Sequence, residues 1–439
     1  MHDTRFSSGA RPRISAGSLA LFLGCGPVVN PGLEEGDGGA DGTGGDDDTS
    51  ASADGNADGS DDAAADTGGP ACGDGIVDPG EACDDGDATN GNGCNDDCRV
   101  SGAPLWSVVV EHGPGESTYA AHVAISPVGL VFAGVTHFDD TGHGGAEVWA
   151  LDLAGEVGWQ APSTITAEIE QVYGLVAGST GDPSLLTSTI DGATYAAFVQ
   201  TFDAAGGTLR SGVFVGVGSQ NYVGTATIDG LDTVMSVGLD GETNAPWLEG
   251  TDQDGSTRWF TQPSAQVGTV AGLGAGGVYV LYGATSTDGS YALERRDADG
   301  APLWSTATPC AGVLAVAGDD DVTVVGYADA GVRLCRVASD GSFLGESTVA
   351  TGAHSITAAG TDGGDVVVGG YTGGDVGPLA PWIGRISEDD VVLWTHVPAS
   401  EASEAFVQSI AVDEGLGIVV VGMSVTTNET YGHIVALTP

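Results

Sequence analysis

Short apolar runs that end in glycine recur along the C-terminal three-quarters of the chain. They occupy residues 130–134, 278–283, 322–326, 366–370 and 418–422. Runs of this length, rich in β-branched residues and flanked by glycine, are typical of strands that are buried on both faces of a sheet. No long segment repeats its apolar residues with the period of a helix. The pattern therefore predicts an all-β fold.

A second pattern, a turn followed by a tryptophan, divides the same region into repeats. The phrase Asp152-x-x-Gly155-x-x-x-Trp159 returns at 252–259 and 297–304, and related phrases surround Trp106 and Trp394. Two repeats keep the turn but place another residue where the tryptophan is expected: Arg210 and Gly345. The glycine place of the phrase falls at 102, 155, 206, 255, 300, 341 and 390, so successive repeats are 41 to 53 residues apart.

This spacing, with four apolar segments in each repeat, is typical of β-propeller blades. The region opens with a tryptophan-bearing strand at 103–110 and ends with the third strand of a repeat at 431–437. We therefore predict a seven-bladed β-propeller over residues 101–439, with four-stranded blades and an N-terminal strand that closes the last blade. The phrase resembles the repeat of quinoprotein-like and WD40-like propellers, in which the tryptophan docks between neighbouring blades. The resemblance implies a structural role for five tryptophans: Trp106, Trp159, Trp259, Trp304 and Trp394.

The N-terminus has the pattern of an export signal. Three arginines precede an apolar stretch at 14–23, and Gly24 and Cys25 follow it directly. A stretch of this length is too short to span a bilayer as a helix, which needs about 20 residues. The pattern resembles the bacterial lipoprotein signal, with Phe22 where leucine is usual. The resemblance implies that residues 1–24 are removed and that Cys25 carries the lipid anchor; an ordinary cleaved signal with an incidental cysteine is the alternative.

Composition separates the next segment from the repeats. Residues 25–70 consist mainly of Gly, Asp, Ala, Ser and Thr, which cannot bury enough apolar surface to fold, and we predict a disordered acidic linker. The whole chain has 61 acidic residues, 11 arginines, no lysine and a net charge of −50. Such a balance excludes nucleic acid as a partner and leaves the lipid anchor as the only expected membrane contact. We expect a self-repelling, monomeric protein.

Four cysteines cluster in residues 71–99. The stretch runs Cys72-Gly-Asp-Gly, continues through Cys83-Asp-Asp-Gly, and ends with Cys94-Asn-Asp-Asp-Cys98. In an exported chain this content predicts two disulfides rather than a zinc site. The stretch resembles the myxobacterial cysteine-rich repeat, which implies a small extracellular module with no known activity. Its polar loop could hold calcium or could simply form tight turns; the calcium candidates are Asp84, Asp85, Asp87, Asn90 and Asn92.

Motifs for catalysis are scarce. The GxGxxG match at 272–277 joins two predicted strands, so it has no helix N-terminus with which to bind a phosphate. His137 and His143 flank two aspartates in one loop, which is either a weak metal candidate or an exposed polar loop. Cys310 and Cys335 are either a disulfide within the fifth blade or two buried small hydrophobic residues. We therefore expect no catalytic residue and no cofactor other than calcium.

These patterns favour a non-catalytic binding or scaffolding protein held outside the cytoplasm, at the outer membrane or cell surface. A protein or a glycan of the cell envelope is the expected partner. Two alternatives remain open: a propeller enzyme of quinoprotein-like or hydrolase type, and a calcium-dependent surface adhesion protein. All three readings rest on the analogy between folds, which does not by itself define function.

Overall fold

A computed structural model describes residues 72–439, apart from residues 79, 88–89, 112, 114–115, 193, 218–219, 284–290, 319, 329–330, 363, 374–378, 399–403, 414 and 427–429. The predicted signal, Cys25 and the acidic linker lie outside the described residues. Within the described part of the chain every regular element is a β-strand. No helix there is long and apolar enough to cross a membrane. The all-β prediction is confirmed.

The strands form seven sheets of four strands each, which we call blades 1 to 7. Blade 1 comprises β2 (Ser117–Ile125), β3 (Val131–Phe138), β4 (Gly144–Leu151) and β5 (Val157–Pro162). Blade 2 comprises β6 (Ile169–Ala177), β7 (Pro183–Asp191), β8 (Thr194–Phe202) and β9 (Leu209–Val215). Blade 3 comprises β10 (Asn221–Ile228), β11 (Thr233–Asp240), β12 (Pro246–Asp252) and β13 (Thr257–Thr261).

The remaining blades repeat this order. Blade 4 comprises β14 (Val267–Gly272), β15 (Val278–Tyr282), β16 (Tyr291–Arg296) and β17 (Pro302–Thr308). Blade 5 comprises β18 (Val313–Val316), β19 (Val322–Ala328), β20 (Gly331–Val337) and β21 (Phe343–Ala350). Blade 6 comprises β22 (Ser355–Asp362), β23 (Asp365–Thr372), β24 (Ala380–Ile386) and β25 (Val392–His396). Blade 7 comprises β26 (Glu404–Asp413), β27 (Ile418–Thr426), β28 (Thr430–Leu437) and β1 (Pro104–Val110).

The first strand of each blade is its innermost strand. Each of these strands contacts its counterparts in the two neighbouring blades, and β26 contacts β2, so the seven sheets close into a ring. Because neighbouring strands are antiparallel, the connections fall on two faces. Connections between blades and between second and third strands form one face, the loop face. The turns after the first and third strands form the other, the turn face.

The ring is closed by the N-terminal strand. β1 pairs with β28 in antiparallel register, with Trp106 opposite Ala436 and Val110 opposite Gly432. It therefore takes the outermost place in blade 7, as the phase of the strands predicts. β1 thus covers the edge of β28 that would otherwise be unpaired.

Apolar side chains of adjacent blades pack together around the ring. One such cluster joins Val131 and Leu151 of blade 1 to Val420 and Ile434 of blade 7. The second strands are the most buried, and the first six residues of β3 are all buried. This arrangement explains the continuous apolar runs in the sequence, because each second strand has blade interiors on both of its faces.

The tryptophans lie between blades, on the outermost strands. The indole Nε1 of Trp106 donates a hydrogen bond to the carbonyl of Leu153 at 2.8 Å, and that of Trp159 donates to Ala204 at 2.8 Å. In both cases the acceptor belongs to the last turn of the next blade. Each ring lies against a glycine of positive φ in that turn, where a Cβ would overlap the indole. The five tryptophan–glycine pairs are Trp106 with Gly155, Trp159 with Gly207, Trp259 with Gly300, Trp304 with Gly341, and Trp394 with Gly102.

One repeat differs from its predicted register. The turn of blade 2 is one residue longer than the others, so Gly207 rather than residue 206 adopts the positive φ of 67°. Ser211, not Arg210, consequently occupies the tryptophan place, opposite Thr201. Its hydroxyl donates to the carbonyl of Gln253 at 2.7 Å, the position that an indole would bond in other blades. The prediction that Arg210 stands there is wrong because an inserted residue shifts the register.

Candidate functional site

The aspartates on the turn face form hydrogen bonds within their own turns. Their carboxylates accept the backbone N–H two residues along the chain, which is the hydrogen bond of an Asx turn; the residues are Asp152, Asp203, Asp254, Asp297 and Asp340. The hydrogen bond from Arg210 also holds the pKa of Asp203 below its usual range. These side chains stabilise the scaffold and are poorly placed to act as acids or bases.

The arginines of the propeller are also paired. All seven of its arginines form ion pairs with carboxylates; they are Arg210, Arg258, Arg295, Arg296, Arg333, Arg336 and Arg385. Arg210 contacts both Asp182 and Asp203, and Arg336 reaches across to Asp390 of blade 6. In the propeller, therefore, every arginine already faces a carboxylate.

Two open depressions lie on the turn face. The larger, about 440 Å³, lies between blades 1 and 2 and is lined by Leu130, Asp152, Val157 and Trp159. The smaller, about 270 Å³, lies where the inner strands of blades 1 to 4 end, and Asp229, Asp232 and Ser179 line it. Asp232 accepts hydrogen bonds from the backbone and hydroxyl of Ser179, and Asp229 accepts the N–H of Gly277. Neither depression brings together an uncommitted acid and base.

On the loop face, a polar network fills the junction of blades 1 and 2. Glu170 of β6 is 2% exposed and accepts a hydrogen bond from Ser163 at 2.8 Å. Gln200 of β8 donates to the same serine hydroxyl at 2.8 Å and accepts the N–H of Thr164 at 3.1 Å. Burial raises the pKa of Glu170, although these hydrogen bonds oppose it. The network holds the connection between the two blades, and every member already has a partner.

An aromatic pair bridges blades 2 and 3 on the same face. The rings of Tyr195 and Tyr222 are 4.4 Å apart, and Tyr222 is 40% exposed. Burial of the remainder, together with the neighbouring Tyr195, raises the pKa of Tyr222. Tyrosine combines an apolar body with a polar tip, a combination that is enriched in binding surfaces. The pair places a partly exposed aromatic surface on the loop face.

The loop with two histidines forms a closed turn. The carboxylate of Asp139 accepts hydrogen bonds from the backbone and hydroxyl of Thr141 and from the backbone of His143. The Thr141 hydroxyl is the main reason that the pKa of Asp139 lies below its usual range. His137 lies at the end of β3, and no group of three metal-binding side chains occurs here or elsewhere among the described residues.

The calcium candidates likewise form turns. Asp84 accepts four backbone N–H groups, from Gly73, Asp74, Gly75 and Gly86. Desolvation of Asp84 acts in the opposite direction, but these bonds keep its pKa below the usual range. The others also make local bonds: Asp85 accepts the N–H of Cys94, Asp87 accepts the amide of Asn92, and Asn90 accepts the N–H of Asp96. These hydrogen bonds close tight turns within the module.

The cysteines after Cys25 pair in three disulfides. Cys72 bonds Cys98 and Cys83 bonds Cys94 within the cysteine-rich module, residues 72–99. Cys310, in the connection that enters blade 5, bonds Cys335 on β20, and both are fully buried. Of the two alternatives for Cys310 and Cys335, the structure has the disulfide.

His122, on the innermost strand of blade 1, should make the stability of the propeller depend on pH. Burial lowers its pKa to about 4, against a smaller opposing effect of the Val172 backbone. The folded protein therefore binds this proton less readily than the unfolded chain, so stability is lost as the pH falls from about 6.5 to about 4. In chemical denaturation, wild type should lose up to about 3 kcal/mol more over this range than His122→Gln. His143→Gln, at an exposed histidine, should behave as wild type; equal losses in both variants would refute the assignment.

The described residues define a seven-bladed β-propeller. No protein-family model and no curated protein matches the chain. Similar solved structures include a protein of unknown function from Dyadobacter fermentans, with 10% identity, 76% of this chain and 98% of that chain covered and a TM-score of 0.46. The β-propeller domain of the Trilobed protease from Pyrococcus furiosus has 10% identity, coverage of 72% and 97%, and a TM-score of 0.45. Sqt1 from Chaetomium thermophilum has 12% identity, coverage of 76% and 97%, and a TM-score of 0.45. Similarity this distant gives no information about ligands.

Proposed function

We propose that this protein is a lipid-anchored, extracytoplasmic binding or scaffolding protein whose propeller presents a non-catalytic surface to a partner in the cell envelope. The cysteines carry the proposal. The chain has seven cysteines, and six of them pair with one another in the described residues. Cys25 is left without a cysteine to pair with, at the position where a lipoprotein signal places its acylated residue.

The disulfides also support an oxidising location. Three disulfides in one chain are common in exported proteins and rare in a reducing cytosol. Cys310–Cys335 adds weight because it lies in the propeller itself, outside the cysteine-rich module. The acidic linker would then serve as a spacer between the anchored Cys25 and the folded part.

The pairing of the charged side chains on the propeller supports a binding role rather than catalysis. The arginines of the propeller are paired, and the turn aspartates hold backbone groups. The described loop face includes the Tyr195–Tyr222 pair, of which Tyr222 is 40% exposed. This surface suits a partner that is neutral or basic and that offers apolar area together with hydrogen-bonding groups, such as a protein or a glycan.

Substituting Cys25 by alanine tests the anchor. In a Gram-negative host fed an alkyne-bearing palmitate, wild type should carry the label and enter the membrane fraction, whereas Cys25→Ala should carry none and leave that fraction. Lipid attachment through two or three chains gives stable binding, so the change in partition should be nearly complete. Phe22→Leu, which restores the usual residue of the signal, is the matched control and should label at least as well as wild type. Membrane retention of an unlabelled Cys25→Ala protein would refute the proposal.

A further inference from the structure

The cysteine-rich module packs against the end of the ring where the closing strand begins. The hydroxyl of Thr438 donates to the carbonyl of Val100 at 2.8 Å and accepts the N–H of Ala103 at 2.9 Å. The N–H of Gly102 bonds the carbonyl of Thr438 at 3.2 Å, and Gly102 itself lies under the indole of Trp394. The segment that leaves the module is thus fixed to blades 6 and 7 before β1 begins.

A second contact lies within the module. Gly91 has a positive φ of 86°, and a Cβ there would overlap the guanidinium of Arg385 in blade 6. Arg385 is itself held by Asp365, 2.8 Å from its Nε. Asn95 is 3% exposed and joins the two parts, because its side-chain oxygen accepts the N–H of Gly91 and the hydroxyl of Ser101, each at 2.8 Å.

The closing strand is mechanically weak at this end. β1 and β28 are antiparallel, and Pro104 at the start of β1 lies opposite Leu437 near the end of β28. A pull applied at Pro104 would open the strand pair one hydrogen-bonded step at a time, from its end. The chain that would carry such a pull enters the folded part at Cys72, and the Cys72–Cys98 disulfide links that point directly to the residues before β1.

We propose that the cysteine-rich module is a mechanical fastener, which transfers tension from the N-terminal tether to blades 6 and 7 and protects β1 from being unzipped. This inference rests on the proposed lipid anchor, since only an anchored chain is pulled at its N-terminus. The disulfide Cys72–Cys98 carries the load past the loops of the module. Three contacts then distribute the load over the ring: Gly91 with Arg385, Gly102 with Trp394, and Thr438 with Val100.

Single-molecule pulling tests the fastener. The secreted chain from residue 26 is held by an N-terminal tag and by an azide-bearing residue in place of Leu303, which is 57% exposed on the outermost strand of blade 4. Wild type should show no extension before the ring opens. Cys72→Ala with Cys98→Ala should add an earlier extension of roughly 50 Å, because the separations of 26 and 11 residues leave about 15 residues outside the Cys83–Cys94 loop to straighten.

Two glycine variants distinguish the contact of the module with blade 6 from backbone strain within the module. Gly91→Ala should lower the force at which the ring opens. Gly80→Ala should not, because Gly80 also has a positive φ but a Cβ there would meet nothing. Arg385→Gln, which leaves the module unchanged, should act as Gly91→Ala does. Equal opening forces in wild type, Gly91→Ala and Arg385→Gln would overturn the proposal.

The pulling measurement is independent of acylation. A protein that shows the fastener but no lipid on Cys25 would retain the mechanical result and refute the anchor. A lipidated protein in which β1 separates first, at a force unaffected by the module variants, would retain the anchor and refute the fastener.

Discussion

Replacing Gly207 by alanine is expected to lower the free energy of unfolding of the propeller by at least about 2 kcal/mol. Two effects act together. Gly207 has a φ of 67°, which costs about 1–2 kcal/mol for a residue with a Cβ. The new Cβ would also overlap the ring of Trp159, and neither the indole nor the nearby Ala161 can move freely between two packed blades. Equilibrium denaturation with guanidinium measures the loss.

The neighbouring glycine provides the matched control. Gly206 lies in the same turn without a positive φ, and a Cβ there would meet nothing within 4 Å. Gly206→Ala should therefore change stability by no more than about 0.5 kcal/mol. Trp159→Ala should cost about 3 kcal/mol, the lower end of the range for a large aromatic residue, because the ring is partly exposed. An equal change in the free energy of unfolding for the two glycine variants would mean that the packing of Trp159 on this turn does not stabilise the contact between blades 1 and 2.

Removal of the blade 5 disulfide is expected to cost about 3–4 kcal/mol. Cys310 and Cys335 are 25 residues apart, and a crosslink over such a loop restricts the unfolded chain by about that much. The crosslink should matter more in blade 5 than in a blade with a long inner strand. The inner strand of blade 5, β18, has only four residues, so few backbone hydrogen bonds hold the entering chain to the sheet. The double variant Cys310→Ala with Cys335→Ala is compared with wild type by denaturation under oxidising conditions.

The module disulfide provides the comparison. Cys83→Ala with Cys94→Ala opens a loop of 11 residues outside the propeller, so it should shift the main unfolding transition of the propeller less than the blade 5 variant does. Reduction of wild type should reproduce the shift seen in the Cys310 and Cys335 double variant. A double variant as stable as wild type would show that packing around β18 holds the blade without the crosslink.

The ring could be predicted from sequence because each blade repeats the same short signals in the same order. Every unit has the turn, five of the seven have the tryptophan, and five have an apolar run that ends in glycine, which together are enough to count seven. The phase of the strands also predicts that β1 completes blade 7, since the region begins with an outermost strand and ends with a third strand. In a repeat protein each unit contacts mainly its neighbours, so local pattern carries most of the fold.

Sequence reasoning failed where one residue changed the geometry. In blade 2, adjacent Gly206 and Gly207 both fit the turn, and the sequence does not indicate that the turn is one residue longer, with Gly207 taking the positive φ against Trp159. The polar network of the loop face was missed for another reason. Ser163 and Gln200 are 37 residues apart and meet at Glu170 only when two blades pack, so no local motif marks them. The tyrosine pair across blades 2 and 3 has the same origin.

The N-terminal peptide of the protein extracted from membranes tests the central claim most directly. After export in a Gram-negative host, mass spectrometry should find a mature chain that begins at Cys25, with a diacylglycerol thioether on its sulfur and an acyl group on its amine. The other six cysteines should be found as the pairs Cys72–Cys98, Cys83–Cys94 and Cys310–Cys335. A chain that retains residues 1–24, or one that begins elsewhere with an unmodified Cys25, would contradict the account.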